Sequence, residues 1–153
     1  MSNQKDNPDA LESIAIIGLA GRLPASENVD AFWANLLAGR EAITTFTDEE
    51  LAAAGVNPDA VRDDPNFVRR GGVLDDADCF DAGFFDMTPR EAQLNDPQHR
   101  VILEVAWHTL ENAGYVPENY AGNIGVFAGK ARNNYYPNNL LPNRDAIPAV
   151  DDL

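Results

Sequence analysis

RRGGVLDDADCFDAGFFDMTPREAQLNDPQHRVILEVAWHTLENAG, running from Arg69 to Gly114, carries the strongest local signals in this chain. Thr88-Pro89-Arg90-Glu91 supplies a hydroxyl N-cap, a proline at the first helical position and a glutamate three residues after the cap, the parts of a capping box. Asp96-Pro97 repeats the cap-plus-proline pair, so a second helix is predicted from Pro97. Val101, Ile102, Leu103, Val105, Ala106, Trp107 and Leu110 cover most of its girth, which predicts a helix buried within a larger domain. Asn112-Ala113-Gly114 ends it, because glycine takes the left-handed cap without strain. Ahead of the helices, a turn at Gly71-Gly72 leads into an acidic and aromatic segment.

Outward from this block, the pattern is that of alternating strands and helices. Ile14-Ala15-Ile16-Ile17 and Ile124–Gly129 are continuous apolar runs, which suit strands covered on both faces of a largely parallel sheet. Between them, Asn28 is a candidate cap for a helix with Phe32, Leu36 and Leu37 on one face, closed by Gly39. Thr47 and Glu50 form a further capping box for a short helix, Asp48 to Ala54, that Gly55 terminates. Residues 55–68 read as a loop. Beyond Lys130, the asparagines and prolines between Arg132 and Leu153 leave no helical or strand period, so the tail reads as a loop or a frayed end. The first twelve residues are polar and read as a flexible leader.

Composition narrows the function classes. The chain has 153 residues, is 44% hydrophobic and carries a formal net charge of −14. That size permits one ordinary domain with a real core. The acidic balance argues against a nucleic-acid surface and against an anionic membrane. The polar start has no apolar core of the kind a secretory signal needs, and the chain is expected to be soluble and cytoplasmic. One cysteine, Cys79, excludes an internal disulfide, and with His99 and His108 it exhausts the soft metal ligands, so no metal site is expected.

The remaining motifs are weak. Gly18-Leu19-Ala20-Gly21 follows a predicted strand but lacks the G-x-G-x-x-G spacing of a dinucleotide site, leaving a nucleotide-binding α/β protein as a distant third reading. The aspartates from Asp75 to Asp86 fail the calcium-loop pattern, since Phe80 and Met87 stand where ligands belong, and they read as turn formers. His99 and His108 lie nine residues apart on one predicted helix and face different sides. Cys79, between Asp78 and Phe80, is expected to be a packing residue.

Taken as whole segments, the sequence resembles the N-terminal part of β-ketoacyl synthase domains, in particular those of modular polyketide and hybrid polyketide–peptide assembly lines. The resemblance is carried by IAIIGLAGRLP at Ile14–Pro24, AFWANLLAGREAI at Ala31–Ile43, the segment Phe80–Tyr115, GNIGVFAG at Gly122–Gly129 and NNYYPNNLL at Asn133–Leu141. It covers residues 13–153 in collinear order, with mild departures such as Gly21 for a frequent Cys and Asn95 for a usual Met.

The resemblance implies the N-terminal half of a thiolase-like, layered α/β/α domain, a homodimer or the remainder of a polyketide synthase as partner, and decarboxylative Claisen condensation of acyl and malonyl-type thioesters. Substrates would arrive on the phosphopantetheine of an acyl carrier protein, and no cofactor would be bound directly. The family's nucleophilic cysteine and its two histidines match no position here, neither Cys79 nor His99, so the chain is expected to be inactive alone and truncated before the nucleophile elbow. By the same resemblance Gln98 and His99 are candidates for the acyl-pocket wall. The alternative is a non-catalytic module that pairs with a full synthase.

Overall fold

A computed structural model describes residues 14–144. The leader expected over residues 1–12 and the end of the tail lie outside the described residues. Five α-helices and one short ribbon follow in the order α1 (Val29–Leu37), β1 (Thr44–Thr45), α2 (Asp48–Ala53), α3 (Pro58–Val61), β2 (Arg70–Gly71), α4 (Pro89–Leu94) and α5 (Pro97–Ala113). No helix among the described residues is long and apolar enough to cross a membrane.

The caps sit where the sequence puts them. Asn28 accepts from the Ala31 N–H at 2.8 Å. Both predicted capping boxes are closed in both directions, Thr47 with Glu50 and Thr88 with Glu91. Asp96 accepts from the Gln98 N–H to start α5. Gly39, Gly55 and Gly114 all have positive φ just past their helices, the conformation that satisfies terminal carbonyls without a Cβ penalty.

Three expectations about local structure are corrected. Residues 55–68 contain α3, because Asn57-Pro58-Asp59 is itself a cap, a first-turn proline and a first-turn acid. The Gly71-Gly72 turn is instead the end of an antiparallel ribbon, with Thr44 opposite Gly71 and Thr45 opposite Arg70. A Cβ on Gly71 would stand 3.2 Å from the Phe46 ring, so glycine admits that ring over the strand. The asparagine-rich tail coils into a π-helical turn at Tyr136–Leu140 and a 3-10 turn at Leu141–Asn143. Its asparagines supply the local bonds: Asn133 accepts from the Tyr136 N–H, and Asn143 donates to the Asn139 carbonyl.

The two predicted strands are not formed among the described residues. Residues 14–17 and 124–129 make no ladder, and Ile14, Ile16, Val126 and Phe127 are largely exposed. A strand exists only through hydrogen bonds to a neighbour, and no neighbour pairs with either stretch. Both nevertheless line one groove of about 430 Å³ beside the end of α5, with Ile16, Ile17 and Gly18 on one wall and Asn123 and Ile124 on another.

α5 organises the rest. A Cβ on Gly18 would come within 2.7 Å of the Ala113 Cβ and of the Thr109 carbonyl oxygen, so the first apolar stretch lies directly on the helix backbone. The Leu19 N–H donates to Asn112 Oδ1 at 3.0 Å, and Arg22 pairs with Glu104 at 2.9 Å. On another side, Phe84 meets Trp107 edge-on at 4.8 Å and Phe85 edge-on at 4.9 Å, while Phe80 stacks on Phe85. Arg100, rather than any apolar residue, is the buried residue of α5. The buried helix expected from composition is therefore only partly covered, since the apolar layers that would enclose its full girth are not present among the described residues. Leu51, Ala92 and Leu140 are the buried apolar side chains there.

Candidate functional site

The residues singled out in the sequence converge on the corner where α4 meets α5. α4 ends at Leu94 and is capped by Asn95, whose backbone is extended, and Asp96 directly after it is the cap of α5. Asp96, at that cap, is buried. Its carboxylate accepts from the Gln98 N–H at 2.9 Å and lies 3.4–3.5 Å from Gln98 Nε2. Gln98 Oε1 accepts from the Ala131 N–H at 3.0 Å, and His99 Nδ1 lies 3.0 Å from Asn95 Oδ1. Gln98 and His99 are thus neighbours with different tethers, one toward the tail and one toward the end of α4. Tyr135 reaches the same corner and donates its hydroxyl to the Gln93 carbonyl at 2.7 Å.

The corner is braced from beneath. Arg100 is 8% exposed and donates from Nη1 to the Asp78 carbonyl, while its Nε has no hydrogen-bond partner among the described residues. At the start of α4, the backbone N–H of Thr88 and then its hydroxyl donate to Glu91, holding that carboxyl below its ordinary value. A carboxylate that accepts such donors is favoured in its charged form.

Other candidates are not brought together. His108 is exposed and borders a groove with Leu19, Val29 and Asn112, well along α5 from His99. Cys79 is exposed, which corrects its expected packing role. The aromatic contacts to α5 are taken by Phe80, Phe84 and Phe85, and Cys79 instead closes a tight turn through its N–H to the Asp76 carbonyl. Asp76 and Asp86 have positive φ and Asp81 accepts from the Phe84 N–H, so the acidic run does form turns. Gly18 is pressed on the side of α5 rather than facing the N-terminus of a helix, which removes the geometry a pyrophosphate would need. Arg100, Ala131 and Tyr135 were missed in the sequence. A lone arginine within an apolar helix is the one signal that could have marked the first of them.

The family described as "Beta-ketoacyl synthase, N-terminal domain" matches residues 11–151. The chain belongs to the β-ketoacyl synthase family. It is 48% identical over 133 residues to a phenolphthiocerol/phthiocerol polyketide synthase of Mycobacterium tuberculosis, a match covering 87% of this chain and 9% of that protein. It is 39% identical over 140 residues to the polyketide synthase PksM of Bacillus subtilis, covering 84% of this chain and 3% of that protein. Among solved structures, ketosynthase twelve of the bacillaene polyketide synthase of Bacillus amyloliquefaciens superposes with a TM-score of 0.57 at 36% identity, over 67% of this chain and 18% of that one. The module 6 ketosynthase of the Bacillus subtilis bacillaene synthase gives 0.56 at 36% identity, over 67% and 17%.

The fold is therefore part of a thiolase-like ketosynthase domain, as the resemblance implied, and the relatives are polyketide synthases. The β-ketoacyl synthase segment seen here spans less than a tenth of the length of these two polyketide synthases and less than a fifth of the two solved ketosynthase chains.

Proposed function

We propose that this chain supplies the N-terminal portion of a polyketide ketosynthase that condenses acyl and malonyl-type thioesters with loss of carbon dioxide, and that it does not perform the chemistry alone. In this reading the thioesters are carried on the phosphopantetheine of an acyl carrier protein, and the partner that completes the domain is the remainder of a polyketide synthase, assembled as a homodimer. A covalent acyl step on a cysteine and donors for the developing oxyanion are what the reaction requires. Cys79, His99 and His108 match none of those positions.

The observation that carries the proposal is the pair of uncovered apolar stretches at Ile14–Leu19 and Ile124–Phe127, which share a groove on α5 and leave their side chains to solvent. Exposed apolar surface of this continuity marks a face built to be covered. Gln98 and His99 are assigned to the acyl-pocket side of the α4–α5 corner, and neither receives a catalytic role.

Thioester loading tests the reading. The chain is incubated with a short acyl-pantetheine thioester, and its intact mass is followed beside free N-acetylcysteine under the same conditions. Acylation of Cys79 at no more than the rate of the free thiol is expected. Rapid, stoichiometric acylation of Cys79 would overturn the proposal.

A further inference from the structure

The tail contacts at the α4–α5 corner have a common cause in the backbone. The Gln93 carbonyl is among the last four of α4, which have no donor within their own helix. Four residues further on stands Pro97, which has no N–H to offer. The Tyr135 hydroxyl fills that gap at 2.7 Å. The Ala131 N–H presents the converse need, since it belongs to a stretch with no ladder partner among the described residues, and Gln98 Oε1 accepts from it at 3.0 Å. Beyond these two fasteners the chain coils into the turns at Tyr136–Asn143 and buries Leu140.

We infer that residues 131–143 form a strap fastened across the α4–α5 corner by Tyr135 and Gln98, and that Gln98 is a positioning residue whose carboxamide is committed to the strap. Its oxygen holds Ala131 and its nitrogen faces the buried Asp96 carboxylate. Only the two methylenes of Gln98 are left for an acyl chain, so the polar character of that wall falls to His99. This deepens the acyl-pocket assignment made above and rests on it for that consequence alone. The strap itself is a property of the chain.

Amide hydrogen exchange on the 153-residue chain, read by mass spectrometry, tests it without any chemistry on thioesters. Tyr135→Phe keeps the ring and removes only the donor, and exchange over 131–143 is expected to rise about five- to tenfold, the effect of one lost hydrogen bond on a local opening. Gln98→Met keeps the length of the side chain and removes the acceptor, so it should produce the same rise near Ala131 while the start of α5, still capped through the Gln98 backbone N–H, keeps its protection. Peptides over the middle of α5, the longest helix, report larger-scale unfolding and are expected to stay unchanged. Unchanged exchange over 131–143 in Tyr135→Phe, or a rise in Gln98→Met as large at the start of α5 as near Ala131, would overturn the strap. Because no thioester is involved, failure here leaves the ketosynthase reading standing, and rapid acylation of Cys79 would leave the strap standing.

Discussion

Gly18→Ala probes the contact on which the first apolar stretch depends. The added methyl would lie 2.7 Å from the Ala113 Cβ, 2.7 Å from the Thr109 carbonyl oxygen and 3.0 Å from the Ala113 nitrogen. Carbon pairs prefer about 3.5–4.0 Å, so roughly 1 Å of separation must be found. Thr109 and Ala113 are four residues apart in α5, and their backbone atoms cannot retreat without opening the helix. The relief therefore comes from the 14–19 stretch. Overpacking of this kind costs about 1–3 kcal/mol, and a rigid backbone neighbour places it toward the upper end. Movement also breaks the hydrogen bond from Leu19 to Asn112 Oδ1, which adds about 1 kcal/mol. Together these favour release by a factor on the order of 100 to 1,000. Hydrogen exchange should show the Leu19 amide approaching the rate of a free chain, while the middle of α5 keeps its protection. Gly129→Ala serves as the control, since its Cβ meets nothing within 4 Å. Leu19 protection within twofold of the parent in Gly18→Ala would refute the packing argument.

Two further outcomes are expected. Glu91 has a carboxyl held below its ordinary 4.5 by Thr88, so the stabilisation it lends to α4 is fully present above pH 4.5 and is lost as the pH falls through the lower folded value. Thr88→Ala removes the hydroxyl donor and keeps the backbone one, so it should weaken that acid dependence only in part and speed exchange in α4 roughly three- to tenfold at neutral pH, and α4 exchange unchanged at neutral pH would count against the cap. The uncovered faces should also make the chain self-associate with rising concentration, and Val126→Lys with Phe127→Lys should reduce that association in sedimentation velocity. A parent chain that sediments as one monomeric species at all concentrations would contradict it.

What was legible in the sequence was the chemistry that closes within a few residues. Thr47 with Glu50, Thr88 with Glu91, Asn28 and Asp96 each satisfy donors two or three positions away, so residue type and spacing are sufficient information. The ribbon escaped notice because each strand has two residues, too few for any alternation to register. The apolar runs at Ile14 and Ile124 were read from composition as strands, but pairing is a property of neighbours, and none pairs with them among the described residues. The candidate site was half legible. Gln98 and His99 followed from a family likeness, whereas their tethers to Ala131 and Asn95 depended on how α4 turns into α5. Tyr135 lies 42 residues from the carbonyl it serves, a distance no local pattern spans. Cys79, between Asp78 and Phe80, is expected to pack because its acidic setting disfavours a nucleophile, yet it lies exposed in the turn that follows Asp76.

The contact between Gly18 and α5 also orders events during synthesis. Leu19 and Asn112 are 93 residues apart, so at 5–20 residues per second the helix follows its apolar partner out of the ribosome by about 5–20 s. The short capped helices α2 and α4 can form within microseconds of emerging, because their end contacts are local. For those seconds, however, Gly18 and the Leu19 amide have no helix to seat on, and the side chains of Ile14 and Ile16 stay exposed even afterwards. A nascent chain of this design carries a sticky apolar segment past whatever chaperone waits at the tunnel exit, and the close seating of Gly18 on α5 does not by itself end that exposure.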